Sequence, residues 1–155
     1  WPFPPLHNDR RFSMSKLLRV IAREQCIGCY SCMYACSRTW FKASTIEKAA
    51  LRVKNYAGAE GAFSIRPCYG CLDPDCAKAC PVAALTPKEG GCVNFDPKKC
   101  INCHKCVDAC IAQAMQWDYE TRMPLVCHQC GVCTKFCPNQ VIAMVDVDRS
   151  RKVEP

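Results

Sequence analysis

The apolar positions of this chain are gathered in short runs separated by polar, cysteine-rich segments. Two runs near the ends, LLRVIAR (17–23) and VIAMVDV (141–147), contain the β-branched residues that favour strands. Two further strands are predicted inside the chain, at AFSIR (62–66) and AMQWD (114–118). No apolar run approaches the length of a transmembrane span. The pattern predicts an α+β fold of small strands and short helices.

A short hairpin is predicted in the middle of the chain. Its two strands are Ala84-Leu85 and Cys92-Val93-Asn94-Phe95. Residues 87–91 lie between them and contain the proline and the glycines of a turn.

The two ends of the chain are predicted to be irregular, as an N-terminal arm or extension over residues 1–15 and a tail over 149–155. Three of the eleven prolines precede Met14. The pair Arg10-Arg11 resembles a twin-arginine export signal, but KLLRVIAREQC is too short and too charged to be the apolar region of one. The chain is therefore expected to be cytoplasmic.

The cysteine content has the largest effect on the predicted fold. Because 17 of the 155 residues are cysteine, few other apolar residues remain to form a hydrophobic core. Cys92 stands outside any group. The other sixteen form four groups: Cys26, Cys29, Cys32 and Cys36; Cys68, Cys71, Cys76 and Cys80; Cys100, Cys103, Cys106 and Cys110; and Cys127, Cys130, Cys133 and Cys137. We call these groups the first to the fourth motif.

The spacing C-x2-C-x2-C-x3-C is typical of cubane 4Fe–4S ligation, and only the second motif departs from it, with four residues between Cys71 and Cys76. The short gaps wrap three sulfurs around one cluster, with backbone N–H groups turned toward it. The last cysteine lies one helical turn further on and points to a neighbouring cluster. Four 4Fe–4S clusters are predicted.

Two other roles for the cysteines, disulfide bonds and zinc ligation, explain their spacing less well. A disulfide framework fits small secreted chains, and spacings within these motifs are too short for ordinary bridges. A zinc-binding interaction module prefers two C-x2-C knuckles separated by a dozen or more residues. Consecutive quartets match cubane ligation better than either.

The formal net charge of +7 mostly compensates the negative charge that the bound clusters and their thiolate ligands would carry. Four clusters with 2+ cores and sixteen thiolates carry about −8 together, which leaves the loaded chain near −1. No long basic run remains to indicate nucleic acid as a partner.

The central hairpin joins the second and third motifs as in a two-cluster bacterial ferredoxin, so these motifs are predicted to pair. The first and fourth motifs then pair with each other. Strand 17–23 is expected to pair with 141–147, and by the same logic 62–66 with 114–118. The predicted ligand sets are Cys26, Cys29, Cys32 and Cys137; Cys127, Cys130, Cys133 and Cys36; Cys68, Cys71, Cys76 and Cys110; and Cys100, Cys103, Cys106 and Cys80.

This pairing nests an inner ferredoxin module (62–118) inside an outer one (16–61 and 119–148). The alternative joins the first motif to the second and the third to the fourth. The gap of 31 residues after Cys36 fits that alternative less well.

The four motifs, over residues 16–148, resemble the four-cluster electron-transfer subunits that accompany molybdenum or tungsten bis-pterin oxidoreductases, such as dimethyl sulfoxide reductase and formate dehydrogenase. The segment CLDPDCAKACP is similar to that family's second motif, whereas CHQCGVC lacks the long insertion usual in its fourth. Together with CIGCYSCMYACSRTW, this resembles the small subunit paired with tungsten aldehyde oxidoreductase-type enzymes, including tungsten benzoyl-CoA reductase.

The resemblance implies an anaerobic electron-transfer subunit that is not catalytic alone. It implies a large tungsten- or molybdenum-pterin partner and an external electron carrier such as a ferredoxin or a flavin subunit. A free-standing polyferredoxin is the alternative. No Ser–His–Asp set or phosphate-binding glycine loop competes with these interpretations.

Several residues near the motifs have a functional and a structural interpretation. His104 and His128 are either hydrogen-bond donors to cluster sulfur or exposed loop residues. Cys92 is either a redox-sensitive thiol or a semi-buried small residue. Four aromatic residues near the motifs are predicted to shield clusters from water: Trp40, Phe41, Tyr69 and Trp117. Three lysines near the third motif either attract an acidic partner or compensate cluster charge: Lys98, Lys99 and Lys105.

Proline follows the last cysteine in two motifs only, as Pro81 and Pro138. Ser37 and Ile111 stand in its place in the other two. Since proline fixes the exit from the cysteine helix, the helix after Cys36 is predicted to continue toward Trp40 and Phe41.

Overall fold

The computed structural model describes residues 14–56, 58 and 61–148. Arg10-Arg11 and the predicted tail lie outside this part of the chain. Within it, Met14 and Ser15 belong to the first strand rather than to the predicted arm. Among the described residues, no helix has the length and apolarity needed to cross a membrane.

The described residues form short helices and antiparallel strand pairs, as an α+β fold requires. The four helices are α1 (Ser31–Phe41), α2 (Asp75–Lys78), α3 (Lys105–Asp108) and α4 (Val132–Lys135), with a 3-10 turn at Arg23–Gln25. The eight strands are β1 (Met14–Val20), β2 (Arg52–Asn55), β3 (Phe63–Arg66), β4 (Leu85–Pro87), β5 (Val93–Phe95), β6 (Gln116–Asp118), β7 (Met123–Leu125) and β8 (Ile142–Asp148).

The strands from the two ends of the described residues pair with each other. β1 and β8 run antiparallel over seven residues, with Leu18 opposite Met144 and Val20 opposite Ile142. The prediction that strand 17–23 pairs with 141–147 is confirmed, with the first strand ending at Val20. The segments that contain the first and fourth motifs are therefore brought together.

The predicted pairing of 62–66 with 114–118 is wrong. β3 pairs with β2, with Ile65 opposite Val53, and β6 pairs with β7, with Trp117 opposite Pro124. Each strand takes a partner close along the chain, which closes a shorter loop and costs less conformational entropy.

Side chains stabilise this local arrangement. The Asp118 carboxylate accepts hydrogen bonds from the backbone N–H of Glu120 at 3.0 Å and the hydroxyl of Thr121 at 2.8 Å, which fixes the β6–β7 turn. Arg52 Nε donates to Gln116 Oε1 at 3.2 Å. The two hairpins are linked through side chains instead of a shared sheet.

The central hairpin is confirmed as β4–β5, with Leu85 opposite Phe95. Pro87 ends β4 instead of beginning the turn. Lys88 donates its backbone N–H to the carbonyl of Cys92 at 3.1 Å and accepts the N–H of Gly91 at 2.9 Å. This turn places Cys92 in the left-handed region, at φ +77°.

α1 is much longer than the other helices, and its predicted continuation past Cys36 is confirmed. Ser37 is fully buried and donates its hydroxyl to the carbonyl of Tyr34 at 3.1 Å. Ile111 also replaces proline, yet α3 ends at Asp108. The missing proline permits the longer helix, and burial of the Ser37 turn stabilises it.

The helices pack in two pairs, α1 with α4 and α2 with α3, and each pair lies beside its own core. The outer core contains Leu18, Met33, Ala49, Leu51, Val53, Ile65, Cys133, Val141 and Ile142. The inner core contains Ala77, Leu85, Val93, Cys106, Met115 and Val126. Ile65 comes from the segment predicted as inner and Val126 from the segment predicted as outer, so packing crosses the predicted boundaries.

Candidate metal centres

Four cavities each bring together the first three cysteines of one motif and the last cysteine of another. We name each cavity by its first cysteine. These sets are Cys26, Cys29, Cys32 and Cys137 for the Cys26 cavity; Cys127, Cys130, Cys133 and Cys36 for the Cys127 cavity; Cys68, Cys71, Cys76 and Cys110 for the Cys68 cavity; and Cys100, Cys103, Cys106 and Cys80 for the Cys100 cavity. The Cys68 cavity is lined by Cys92 and Cys127 as well.

These groupings coincide with the four predicted ligand sets. The alternative pairing would place Cys36 beside the second motif. Cys36 instead lies close enough to Cys133 for its charge to raise the pKa of that thiol. Likewise, the charge of Cys137 raises the pKa of Cys32. The side chains of the first and fourth motifs therefore interleave.

The loops between cysteines turn sharply through left-handed residues. In three motifs two such residues alternate with the cysteines: Gly28 and Tyr30, Asn102 and His104, and Gln129 and Gly131. Alternation of this kind turns successive N–H groups to one side, which suits an anionic group. At Gly28 a Cβ would lie 2.3 Å from the Phe63 ring, so the position also requires glycine for space.

Backbone N–H groups donate to the sulfur of each motif's last cysteine. In three motifs the donor is four residues further on: Ala84 to Cys80 at 3.2 Å, Ala114 to Cys110 at 3.4 Å and Val141 to Cys137 at 3.2 Å. In the first motif the helix continues through that position, and Ala50 donates to Cys36 at 3.4 Å. Such bonds favour the thiolate, which is the ligand form.

Burial makes the bare thiolates unfavourable. It raises the pKa of Cys32, Cys76 and Cys133 to about 12 and that of Cys106 to about 11, and neighbouring cysteines add to the effect. A bound cationic centre offsets this cost, because metal ligation stabilises the thiolate. The donor sets therefore fit an iron–sulfur cluster.

A single zinc ion needs its sulfurs about 2.3 Å from one point. Within 14–56, 58 and 61–148, no three histidine, cysteine or acidic side chains are placed to hold one metal ion.

Two residues outside the predicted ligand sets, Cys92 and Gln129, hydrogen-bond to Cys68. Cys92 is buried, lines this cavity and hydrogen-bonds to Cys68, which lowers the pKa of Cys68. The Gln129 side chain accepts the N–H of Leu18 at 2.6 Å and donates to the carbonyl of Cys68 at 2.6 Å. The sequence predicted a semi-buried Cys92 and gave no signal for Gln129 beyond its place between two cysteines.

Two histidine–tryptophan pairs lie beside the cavities. His128 stacks on Trp40 at the Cys127 cavity, with ring centroids 3.9 Å apart and planes at 22°. His104 meets Trp117 edge-on at the Cys100 cavity, with centroids 4.8 Å apart. Partial burial, and then Lys88, lower the pKa of His128, which favours its neutral form.

The remaining predicted residues lie near the motifs. Tyr69 lines the Cys68 cavity, with the Arg19 guanidinium 5.5 Å from its ring centroid. Phe41 ends α1. Three lysines near the third motif are exposed, which leaves both interpretations of them open: Lys98, Lys99 and Lys105.

Family models agree with this chemistry. Residues 93–116 match one model described as a 4Fe-4S binding domain, and residues 23–40 and 124–140 match a second with the same description. These segments are therefore similar to 4Fe–4S binding domains. The widened second motif lies outside the matched segments.

Curated relatives are subunits of oxidoreductases. The chain is 31% identical over 137 residues to a selenate reductase subunit of Mesobacillus selenatarsenatis, covering 76% of this chain and 47% of that protein. It is 34% identical over 124 residues to the beta subunit of NADH-dependent phenylglyoxylate dehydrogenase of Aromatoleum evansii, covering 74% of this chain and 27% of that protein.

A third relative is one of the chains of anaerobic dimethyl sulfoxide reductase of Escherichia coli, 28% identical over 154 residues, which cover 85% of this chain and 74% of that protein. The protein described here thus spans about half of the first relative and about a quarter of the second. It is similar to subunits of oxidoreductase complexes.

Proposed function

We propose that the chain is the electron-transfer subunit of an oxidoreductase complex and binds four 4Fe–4S clusters through its sixteen motif cysteines. The observation that carries this proposal is the grouping of those cysteines around four cavities. Each cluster, when bound, accepts and releases one electron at a time. The chain itself supplies the ligands, the N–H groups directed at sulfur and the apolar cover.

The order of the cavities supports a relay. α1 carries Cys36, which lines the Cys127 cavity, and packs against α4. This packing makes the Cys26 cavity and the Cys127 cavity neighbours. Cys127 also lines the Cys68 cavity, and its pKa is raised by burial and then by Cys68. α2 and α3 pack together and join the Cys68 cavity to the Cys100 cavity. Electrons would cross the chain along this series of neighbours, through an outer and an inner ferredoxin module.

The relatives support a catalytic partner, since each is named as a subunit or chain of a reductase or dehydrogenase. The partner in this proposal is a large tungsten- or molybdenum-pterin subunit. It is of the aldehyde oxidoreductase or benzoyl-CoA reductase type, which the compact fourth motif favours. A ferredoxin or a flavin subunit would exchange electrons at the far end of the relay.

Anaerobic purification at native abundance tests the assignment. A complex predicts that this chain elutes with a large chain containing tungsten or molybdenum. Elution alone, near 17.4 kDa with full iron and sulfide, would instead identify a free polyferredoxin. Zinc without sulfide would identify an interaction module and contradict electron transfer.

A further inference from the structure

Trp40 lies at a position that is helical only in the first motif. It lies four residues after Cys36 on α1, so both side chains project from one face of the helix. In the other motifs the residue at this position has left the helix and donates its backbone N–H to the last cysteine: Ala84, Ala114 and Val141. Continuation of α1 therefore places an indole ring at the Cys127 cavity.

The indole makes two specific contacts there. Its Nε1–H donates to Cys130 Sγ at 3.1 Å, and its ring stacks on His128 at 3.9 Å. Cys130 is one of the exposed cysteines, and the Trp40 side chain contacts its sulfur there. The stack on His128 holds the ring in the orientation that directs the N–H at the sulfur.

We propose that Trp40 is a positioning residue that raises the reduction potential of the cluster ligated by Cys127, Cys130, Cys133 and Cys36. This inference rests on the proposed function. Reduction adds one electron to the cluster and increases the negative charge on its sulfurs. A hydrogen bond to sulfur is stronger in the reduced state and therefore favours reduction.

Trp117 is a matched control. It also contacts a histidine at a cysteine cavity, but edge-on and at 4.8 Å. In the part of the chain that the structure describes, its indole donates no hydrogen bond to a cysteine. Loss of its N–H should therefore leave all four potentials unchanged.

The test uses the complete chain, purified without oxygen, as the Trp40→Phe and Trp117→Phe variants. Phenylalanine keeps an aromatic ring to stack on His128 and removes the indole N–H, and Trp117→Phe makes the same reduction in ring size at a position without this hydrogen bond. A redox titration with dithionite, followed by electron paramagnetic resonance, should show one cluster shifted to lower potential in Trp40→Phe. We expect about a tenfold fall in its ratio of reduced to oxidised cluster at fixed potential, equivalent to about 59 mV for a one-electron couple. Trp117→Phe should match the unsubstituted chain.

A second measurement keeps the inference testable if Trp40→Phe loses its cluster. Protein carrying Trp1→Phe and Trp117→Phe, labelled with 15N-indole tryptophan, has Trp40 as its one remaining tryptophan. Hyperfine spectroscopy of the reduced protein should detect coupling of this nitrogen to a cluster, through the hydrogen bond. Such coupling supports the proposal, and its absence in a fully loaded chain overturns it.

The outcomes separate the two proposals. Unchanged potentials in a Trp40→Phe chain with full iron and sulfide overturn the role of Trp40 and leave electron transfer intact. A chain with no acid-labile sulfide overturns both.

Discussion

The outer core is built around seven-residue strands and an eleven-residue helix, whereas the inner core has strands of three residues and helices of four. The outer core buries Leu18, Met33 and Leu51 to 2% exposure or less. The inner core includes Ala77 and Met115 at 9%. Both regions surround the same kind of cysteine quartet. We infer that the inner region depends more on its clusters for stability, because few apolar side chains support it.

Removal of iron should have the largest effect and should separate the two regions. The apo chain is expected to be largely unfolded, because ligation replaces much of the missing core. Hydrogen exchange should show complete loss of protection in β4–β5 and some residual protection in β1–β8. Circular dichroism that stays near native after complete iron removal would contradict this expectation.

Cysteine substitutions should remove one cluster each and reveal how the outer motifs interleave. Cys36→Ala and Cys130→Ala are expected to affect the same cluster, so the double variant should lose about four irons, the same as either single variant. Cys36→Ala with Cys29→Ala should lose about eight. Iron analysis of the purified variants measures this. A loss of about eight irons with Cys130→Ala and about four with Cys29→Ala would instead show that Cys36 ligates the cluster of its own motif.

Truncation of a core leucine should affect the two regions unequally. Leu18→Ala in the outer core is expected to cost about 3 kcal/mol, as for other buried leucines. Leu85→Ala in the inner core should cost less, because bound clusters provide more of the stability there. Thermal loss of the visible cluster absorption, compared between the two loaded variants, provides the measurement. A larger effect at Leu85 would reverse the comparison of the cores.

Cys92→Ser should have the smallest effect. Its thiol hydrogen-bonds to Cys68 at the cavity between the two regions, and a serine hydroxyl can replace that donor. Iron content should stay unchanged and stability should fall by about 1 kcal/mol. Loss of about four irons would show that Cys92 is a ligand.

Much of this arrangement is predictable from cysteine spacing and the nearest strands. The spacing anticipates which cysteines share a cavity, and the β-branched runs near the two ends anticipate the β1–β8 pair. The error at 62–66 and 114–118 arose because their true partners are inconspicuous. β2 is the polar RVKN, and β7 contains Pro124.

The contacts that the sequence missed depend on tertiary structure. Ala50 donates to Cys36, and Gln129 bridges Leu18 to Cys68. Neither residue differs in type from ordinary loop residues, so no local pattern marks it. The long α1 was expected from Ser37, but the short α3 shows that a missing proline alone does not extend a helix.

Iron and acid-labile sulfide analysis of the anaerobically purified chain tests the central claim of four clusters most directly. We predict about sixteen irons and about sixteen sulfides per chain. Near-zero sulfide, with zinc bound in place of iron, would contradict it.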